Sequence, residues 1–169
     1  IADIIVEPGY IEGTVTVNGG ELYYGYIYAY RSSADGYTYS RHFVDSSGNI
    51  RLPVVPNQQI NVYGHVYLVG SDTRVNIPSA STVPSTQTYV DVAAGQTVNV
   101  GWEINVPDGV IAGDVTFNGP VDVTRHTVLA YGPSYGVDHV YENGPNAIEE
   151  LEPGTYWQQA YTYMRGYQD

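Results

Sequence analysis

The stretch ELYYGYIYAY at Glu21–Tyr30 sets Tyr24, Tyr26, Tyr28 and Tyr30 at alternate positions, in a chain of 169 residues with 18 tyrosines. Residues spaced by two share one face of a strand, so these phenols form a row. Tyr63 and Tyr67 continue the pattern in NVYGHVYL, and Trp157, Tyr161 and Tyr163 in WQQAYTY. Such a row can pack against another copy or domain, since Tyr and Trp are enriched at interfaces. It can stack on the CH faces of a sugar while Asn, Gln and Asp read its hydroxyls. It can also simply pair across strands, because tyrosine fits a pleated surface well. A contiguous aromatic face is larger than a monomer ordinarily leaves bare, which favours a contact surface.

Other chemistry is thinner. Asp45, Ser47 and Asn49 alternate in DSSGN, an echo of oxygen-rich calcium loops that lacks their full acidic pattern and distal Glu. Turn chemistry gives the alternative, a hairpin with Gly48 and Asn49 at positive φ. No cofactor is required by any motif, and Ca²⁺ is the ion this loop would take. Glu149, Glu150 and Glu152 with Asp138 and Glu142 read as a solvated acidic edge. His42, His65, His126 and His139 follow no metal-ligand spacing, and no G-x-S-x-G elbow or singled-out carboxylate pair is present. No residue is assigned a catalytic role, and the chain is read as a non-enzyme.

Composition narrows the partners. Six Lys plus Arg, all of them Arg, against 18 Asp plus Glu give a net charge of −12, which argues against nucleic acid and against an anionic membrane surface. There is no Cys, and no apolar run of membrane-spanning length. Low charge with abundant Gly, Thr, Val and Tyr suits an extracellular or cell-surface β protein.

These residues must be positioned by strands. Helical periodicity is absent, while Gly and Pro punctuate every ten to fifteen residues. Strands are predicted at Ile11–Val17, Tyr24–Tyr30, Tyr37–Val44, Ile60–Val69, Thr88–Val92 and Val98–Val106, with counterparts from Ile111 onward. NGG, SADG, DSSGN and AAGQ read as turns, and Gly70–Thr88 as a long, flexible polar loop. GYIEGTVTVNGG at Gly9–Gly20 returns 100 residues later as GVIAGDVTFNGP at Gly109–Pro120, with seven of twelve positions identical. Ile27–Tyr30 returns as Val128–Tyr131, and VVPNQQINVYGHVYL from Val54 is answered by ELEPGTYWQQAYTYM from Glu150.

The I-x-G-x-V-T-x-N-G opening at Ile11 and again at Ile111, the V/I-x-A-Y strand, ELEPGTY at Glu150–Tyr156 and AAGQTVNV at Ala93–Val100 resemble the carboxypeptidase regulatory-like domains. Repeat 1 has VVPNQQ where the family has PGTY. The resemblance implies an all-β chain of two tandem antiparallel β-sandwiches, transthyretin-like or Ig-like Greek keys. It implies no catalytic residues. The lysine isopeptide bonds of relatives on bacterial surfaces are excluded, because this chain has no Lys. The expected organisation is an N-terminal strand at residues 1–8, a first sandwich at 9–106 and a second at 107–169.

Alternation assigns the faces. Ile60, Val62, Gly64, Val66 and Leu68 point inward, and so do Ile27 and Ala29, leaving the tyrosines outside. In repeat 2, Tyr156, Ala160 and Met164 take the inward parity and Trp157, Gln159, Tyr161 and Tyr163 the outward one. Trp102 shares the parity of Val98, Val100 and Ile104 and is expected in the core. Repeat 2 has no counterpart of Thr88–Val92 or Val98–Val106, and in the 100-residue frame Ile4 and Val6 fall on Ile104 and Val106. Either the chain is an excerpt of a longer array, or Ile4, Ile5 and Val6 of another copy donate a strand to an open edge. The expectation is therefore a surface structural or assembly module, of the kind that forms a filament subunit, whose partners are its own copies or neighbouring domains; the alternative is a polysaccharide-binding module.

Overall fold

A computed structural model describes residues 7–33, 36–56, 58–86, 88–119 and 123–165. Every regular element among them is a strand. In chain order these are β1 (Gly9–Asn18), β2 (Leu22–Ser33), β3 (Gly36–Val44), β4 (Asn49–Val54), β5 (Gln58–Leu68), β6 (Arg74–Ile77) and β7 (Thr82–Val83). They continue as β8 (Thr88–Val92), β9 (Thr97–Asn105), β10 (Gly109–Val115), β11 (Val123–Tyr131), β12 (Tyr135–Val140), β13 (Gly144–Leu151) and β14 (Trp157–Met164). The chain is all-β, its sheets mostly antiparallel, consistent with sandwich domains.

Two units divide it, the first within Ile1–Val69 and Asn76–Val106, the second within Gly70–Val75 and Pro107–Asp169. In the first, one sheet runs β4-β1-β9-β7, and the other sets β3, β2 and β5 side by side with β8 along Gln58–Val62 of β5. Strict alternation along β5 buries Ile60, Val62, Val66 and Leu68, and along β2 it buries Ile27 and Ala29. Ile11, Leu52, Trp102 and Ile104 supply the opposing layer, the arrangement of a two-sheet core. β9 departs from the antiparallel rule, lying parallel to β1 from Tyr10↔Thr97 to Asn18↔Asn105.

Among the described residues, the second unit repeats the pairing of the first five strands. β10 pairs β13 as β1 pairs β4, with Ile111↔Ile148 answering Ile11↔Leu52. β11 lies between β12 and β14 as β2 lies between β3 and β5. Its core is Val128, Ala130, Ile148 and Leu151, with Ile111, Val115 and Tyr156 packed on it while staying partly exposed.

Several expectations change. β4 was not expected; NIRLPV alternates, but its Pro53 disguises it, and Pro is tolerated because β4 is an edge strand. Asp45–Asn49 is a turn, yet it leads from β3 into β4 of the other sheet and so closes no hairpin. Gly48 carries the positive φ of 72° and Asn49 does not. A Cβ on Gly48 would lie 2.0 Å from the Val15 carbonyl oxygen, so only glycine fits.

The predicted flexible loop Gly70–Thr88 holds β6 and β7, and it buries Val75, Ile77 and Thr82. Its first part belongs to the second unit. Thr73 Oγ1 donates to the Glu149 carbonyl at 2.7 Å, and the Arg74 guanidinium lies 5.8 Å from the Tyr135 ring centre. The apolar signal there is only two residues in a polar run, too short to register as periodicity. Ala160 and Met164, expected inside, are exposed, Met164 by 51%. They lie on β14, which among the described strands pairs with β11 alone, at the edge of its sheet, and there the inward parity of repeat 1 stays in solvent. Glu152, expected at a solvated edge, is buried; its N–H donates to Ser134 Oγ at 3.1 Å and its carbonyl accepts from Tyr156 Oη at 2.8 Å.

Candidate functional site

The tyrosine row lies on the outer face of β3, β2 and β5, where register sets side chains opposite one another. Phe43, Tyr26 and His65 form one row across the three strands, and Arg41, Tyr28 and Tyr63 the next. Tyr39, Tyr30 and Asn61 follow, and Tyr24 faces Tyr67. Tyr24 and Tyr67 have ring centres 4.9 Å apart with planes 25° apart, and Tyr28 and Tyr63 lie 5.3 Å apart at 26°. Those separations are close to the interstrand spacing of about 4.8 Å. Paired rings therefore stand upright, face to face, each pair contributing about 0.5–1.5 kcal/mol beyond its buried area.

The surface thus offers ring edges and hydroxyls more than open ring faces. The Arg41 guanidinium sits 4.9 Å from the Tyr26 ring centre. Burial among neighbouring rings, then the phenols of Tyr67, Tyr26 and Tyr23, hold the Tyr24 hydroxyl above its usual 10.0. Burial first, then Tyr39, raises Tyr28 and Tyr63 as well, with Arg41 opposing at Tyr28. Tyr24, Tyr28 and Tyr63 therefore hold their phenolic protons at neutral pH.

Beside this face, Asn61, Tyr63, Asn76 and Pro78 line an open groove of about 460 Å³. The Oδ1 of Asn61 is buried without a hydrogen-bond partner among the described residues. An orphaned acceptor beside an aromatic ring is one that a ligand hydroxyl could satisfy.

In the second unit Trp157, Tyr161 and Tyr163 project from β14, and Trp157 is 80% exposed. The Arg125 guanidinium covers the Tyr163 ring at 4.6 Å. Trp157 has no aromatic or cation contact among the described residues, so its indole face is open.

A second feature, not anticipated at these residues, is the outer edge of β10. Ala112 faces Ala147 across β10 and β13. The Ala147 N–H turns away from β10 to donate to Asp138 Oδ2 at 3.0 Å. In an antiparallel ladder both members of such a pair point their backbone groups outward. The N–H and C=O of Ala112 therefore face the edge opposite β13, where no described strand lies. Alongside, Gly109, Ile111, Leu151, Tyr156 and Gln158 line a groove of about 380 Å³. A bulge between Gly109 and Ile111, with Glu150 at φ 56°, marks its rim. Tyr156 pins the far wall, its hydroxyl 2.6 Å from Ser134 Oγ.

The matching glycines differ in the same way. A Cβ on Gly13 would lie 1.6 Å from the Val100 carbonyl oxygen of β9, whereas a Cβ on Gly113 would meet only Asn146 Oδ1, at 3.5 Å. The repeat GYIEG/GVIAG was the sequence signal for this edge; which backbone atoms face outward was not readable from it.

Asp45, Ser47 and Asn49 come together as a hydrogen-bonded turn. Asp45 Oδ1 accepts from Ser47 N at 2.9 Å and Ser47 Oγ at 2.6 Å, and these bonds lower its pKa. Asn49 directs Nδ2, a donor, at Ser47 Oγ. Among the described residues no three His, Asp or Glu side chains gather at metal-binding distance. Ile4, Ile5 and Val6 lie outside the described residues.

No protein-family model matches the chain, and no curated protein matches it. Among solved structures it is similar to a DUF3823 family protein from Parabacteroides merdae, with a TM-score of 0.36 and 12% identity over 94% of this chain and 82% of that one.

Proposed function

We propose that this chain is a structural and assembly module of a secreted or cell-surface protein, built of tandem carboxypeptidase regulatory-like sandwiches. It meets copies of itself or neighbouring domains through its tyrosine face and through its second unit. One observation carries the reading: β1 is flanked by β4 and β9, while its counterpart β10 has β13 alone among the described strands. Ile11 is accordingly fully buried, and Ile111 stays partly exposed. A bare sheet edge beside exposed apolar side chains is a surface that proteins ordinarily cover. Sedimentation velocity of the purified chain over a hundredfold concentration range tests the reading. Growth of higher species with concentration supports it, and an unchanging monomer would sink it.

A second reading, a polysaccharide-binding module, is favoured by Trp157, whose open indole face suits a sugar ring. Affinity electrophoresis in gels containing soluble polysaccharides tests it. Retardation lost in Trp157→Ala supports sugar binding at β14, and retardation lost in Tyr63→Ala would place it in the Asn61 groove instead.

A further inference from the structure

We propose that the outer edge of β10 accepts a parallel strand, and that this strand is residues 1–8 of a second copy of the chain. The inference rests on the assembly reading above and specifies how copies join. Three observations select the edge. Ala112 presents its backbone donor and acceptor away from β13, as the Ala147–Asp138 hydrogen bond requires. The groove beside it exposes Ile111 and Tyr156. Gly113 leaves the strand clear on the side where, in the first unit, β9 lies hard against Gly13.

The first unit shows what such an edge takes. There β9 runs parallel to β1; Tyr10 N donates to Gln96 O at 2.8 Å, and Val106 N donates to Asn18 O at 3.2 Å. Even-numbered residues of β1 thus serve the β9 edge, and their counterparts on β10 are Val110, Ala112 and Asp114. The inward side chains of β9 include Trp102 and Ile104, both buried. A strand for β10 needs small or apolar residues at alternate positions and must run in β10's own direction.

Residues 1–8 read IADIIVEP and meet that pattern through Ala2, Ile4 and Val6. In the 100-residue frame these fall on Trp102, Ile104 and Val106. They lead into Gly9 and β1 as Val106–Asp108 lead into Gly109 and β10. The contact is head-to-tail, so it propagates: each acceptor is itself a donor, and the product is a filament unless the rotation closes it into a ring.

The test uses the full chain, a variant lacking residues 1–8, and Ala112→Pro. Proline removes the outward N–H while sparing the β13 ladder, and it is tolerated at an edge. A fluorescent peptide of residues 1–8 is titrated against each protein by polarisation, with a peptide of β9, residues 97–105, as competitor. The shortened chain should remain monomeric and bind the 1–8 peptide saturably. Ala112→Pro should bind it at least tenfold more weakly and fail to assemble. Near-ultraviolet circular dichroism confirms that the variants are folded, and peptide binding by the shortened chain is informative even if Ala112→Pro is not.

No binding of the 1–8 peptide, or undiminished binding by folded Ala112→Pro, would overturn the inference. Binding of the β9 peptide alone would overturn the donor. Assembly that persists without residues 1–8 overturns strand donation yet leaves the assembly reading standing on the tyrosine face. A parent chain that never assembles overturns the assembly reading even where the peptide binds.

Discussion

Gly13 lies so close to Val100 that an added Cβ would fall 1.6 Å from its carbonyl oxygen, while on its repeat counterpart Gly113 a Cβ would make only an ordinary contact, 3.5 Å from Asn146 Oδ1. Gly13→Ala must push β9 off β1, and that interface holds Trp102 and Ile104 in the core. A loss of about 3 kcal/mol or more is expected, in the range of disrupted cores. Gly113→Ala should be neutral or stabilise by about 0.5 kcal/mol through the unfolded chain's lost freedom. Thermal unfolding of the two variants side by side checks the contrast; equal effects would contradict it.

His126 is buried in the second unit, between Thr162 Oγ1 at 3.0 Å and Asn143 Oδ1 at 3.2 Å. Asn143 is oriented by Phe117, whose N–H donates to Oδ1 and whose carbonyl accepts from Nδ2. His126 Nε2 is therefore the donor to Asn143. His126→Leu removes both contacts and should cost about 1–3 kcal/mol. Hydrogen exchange should show the loss in β11 and β14 with β2 and β5 unchanged; protection lost equally in both units would contradict the division of the chain.

The raised phenols of Tyr24, Tyr28 and Tyr63 link stability to alkaline pH. Their folded pKa values lie above the unfolded 10.0, so between the two the folded state holds more protons. Their contribution is complete below pH 10.0 and is lost as pH rises through the folded values. Urea midpoints should stay level up to about pH 10 and fall above it. Replacing all three with Phe should flatten that fall, and a triple variant with the parent's slope would reject the linkage.

The proposed assembly would act against a net charge of −12 per copy. Like-charged copies repel over a distance set by the Debye length, about 30 Å at 0.01 M salt and 8 Å at 0.15 M. Self-association should therefore strengthen between those salt concentrations. Static light scattering across the series checks this; weakening with salt would indicate a contact held by ion pairs.

Much of this molecule is written in its alternation and its repeat. β5 and β2 sort apolar from aromatic by parity, which fixes the tyrosine face before any tertiary contact is known. The 100-residue recurrence likewise fixes that two similar units exist, and no Lys or Cys means that neither isopeptide nor disulfide staples them. What parity cannot say is whether an opposing layer is present. Ala160 and Met164 follow the inward rule and are exposed on β14, at the edge of its sheet, and Glu152 breaks the polar rule because Ser134 and Tyr156 bond to its backbone. The same limit applies to the rings and the edge. Sequence placed tyrosines in a row, but only packing across β2 and β5 stood them face to face. Sequence repeated Gly13 as Gly113, but only the presence of β9 in one unit, and the turn of Ala147 toward Asp138 in the other, decided which glycine is crowded and which edge is bare. Local pattern specifies the strand and its two faces; long-range pairing, set by residues far apart in the chain, specifies what each face and edge meets.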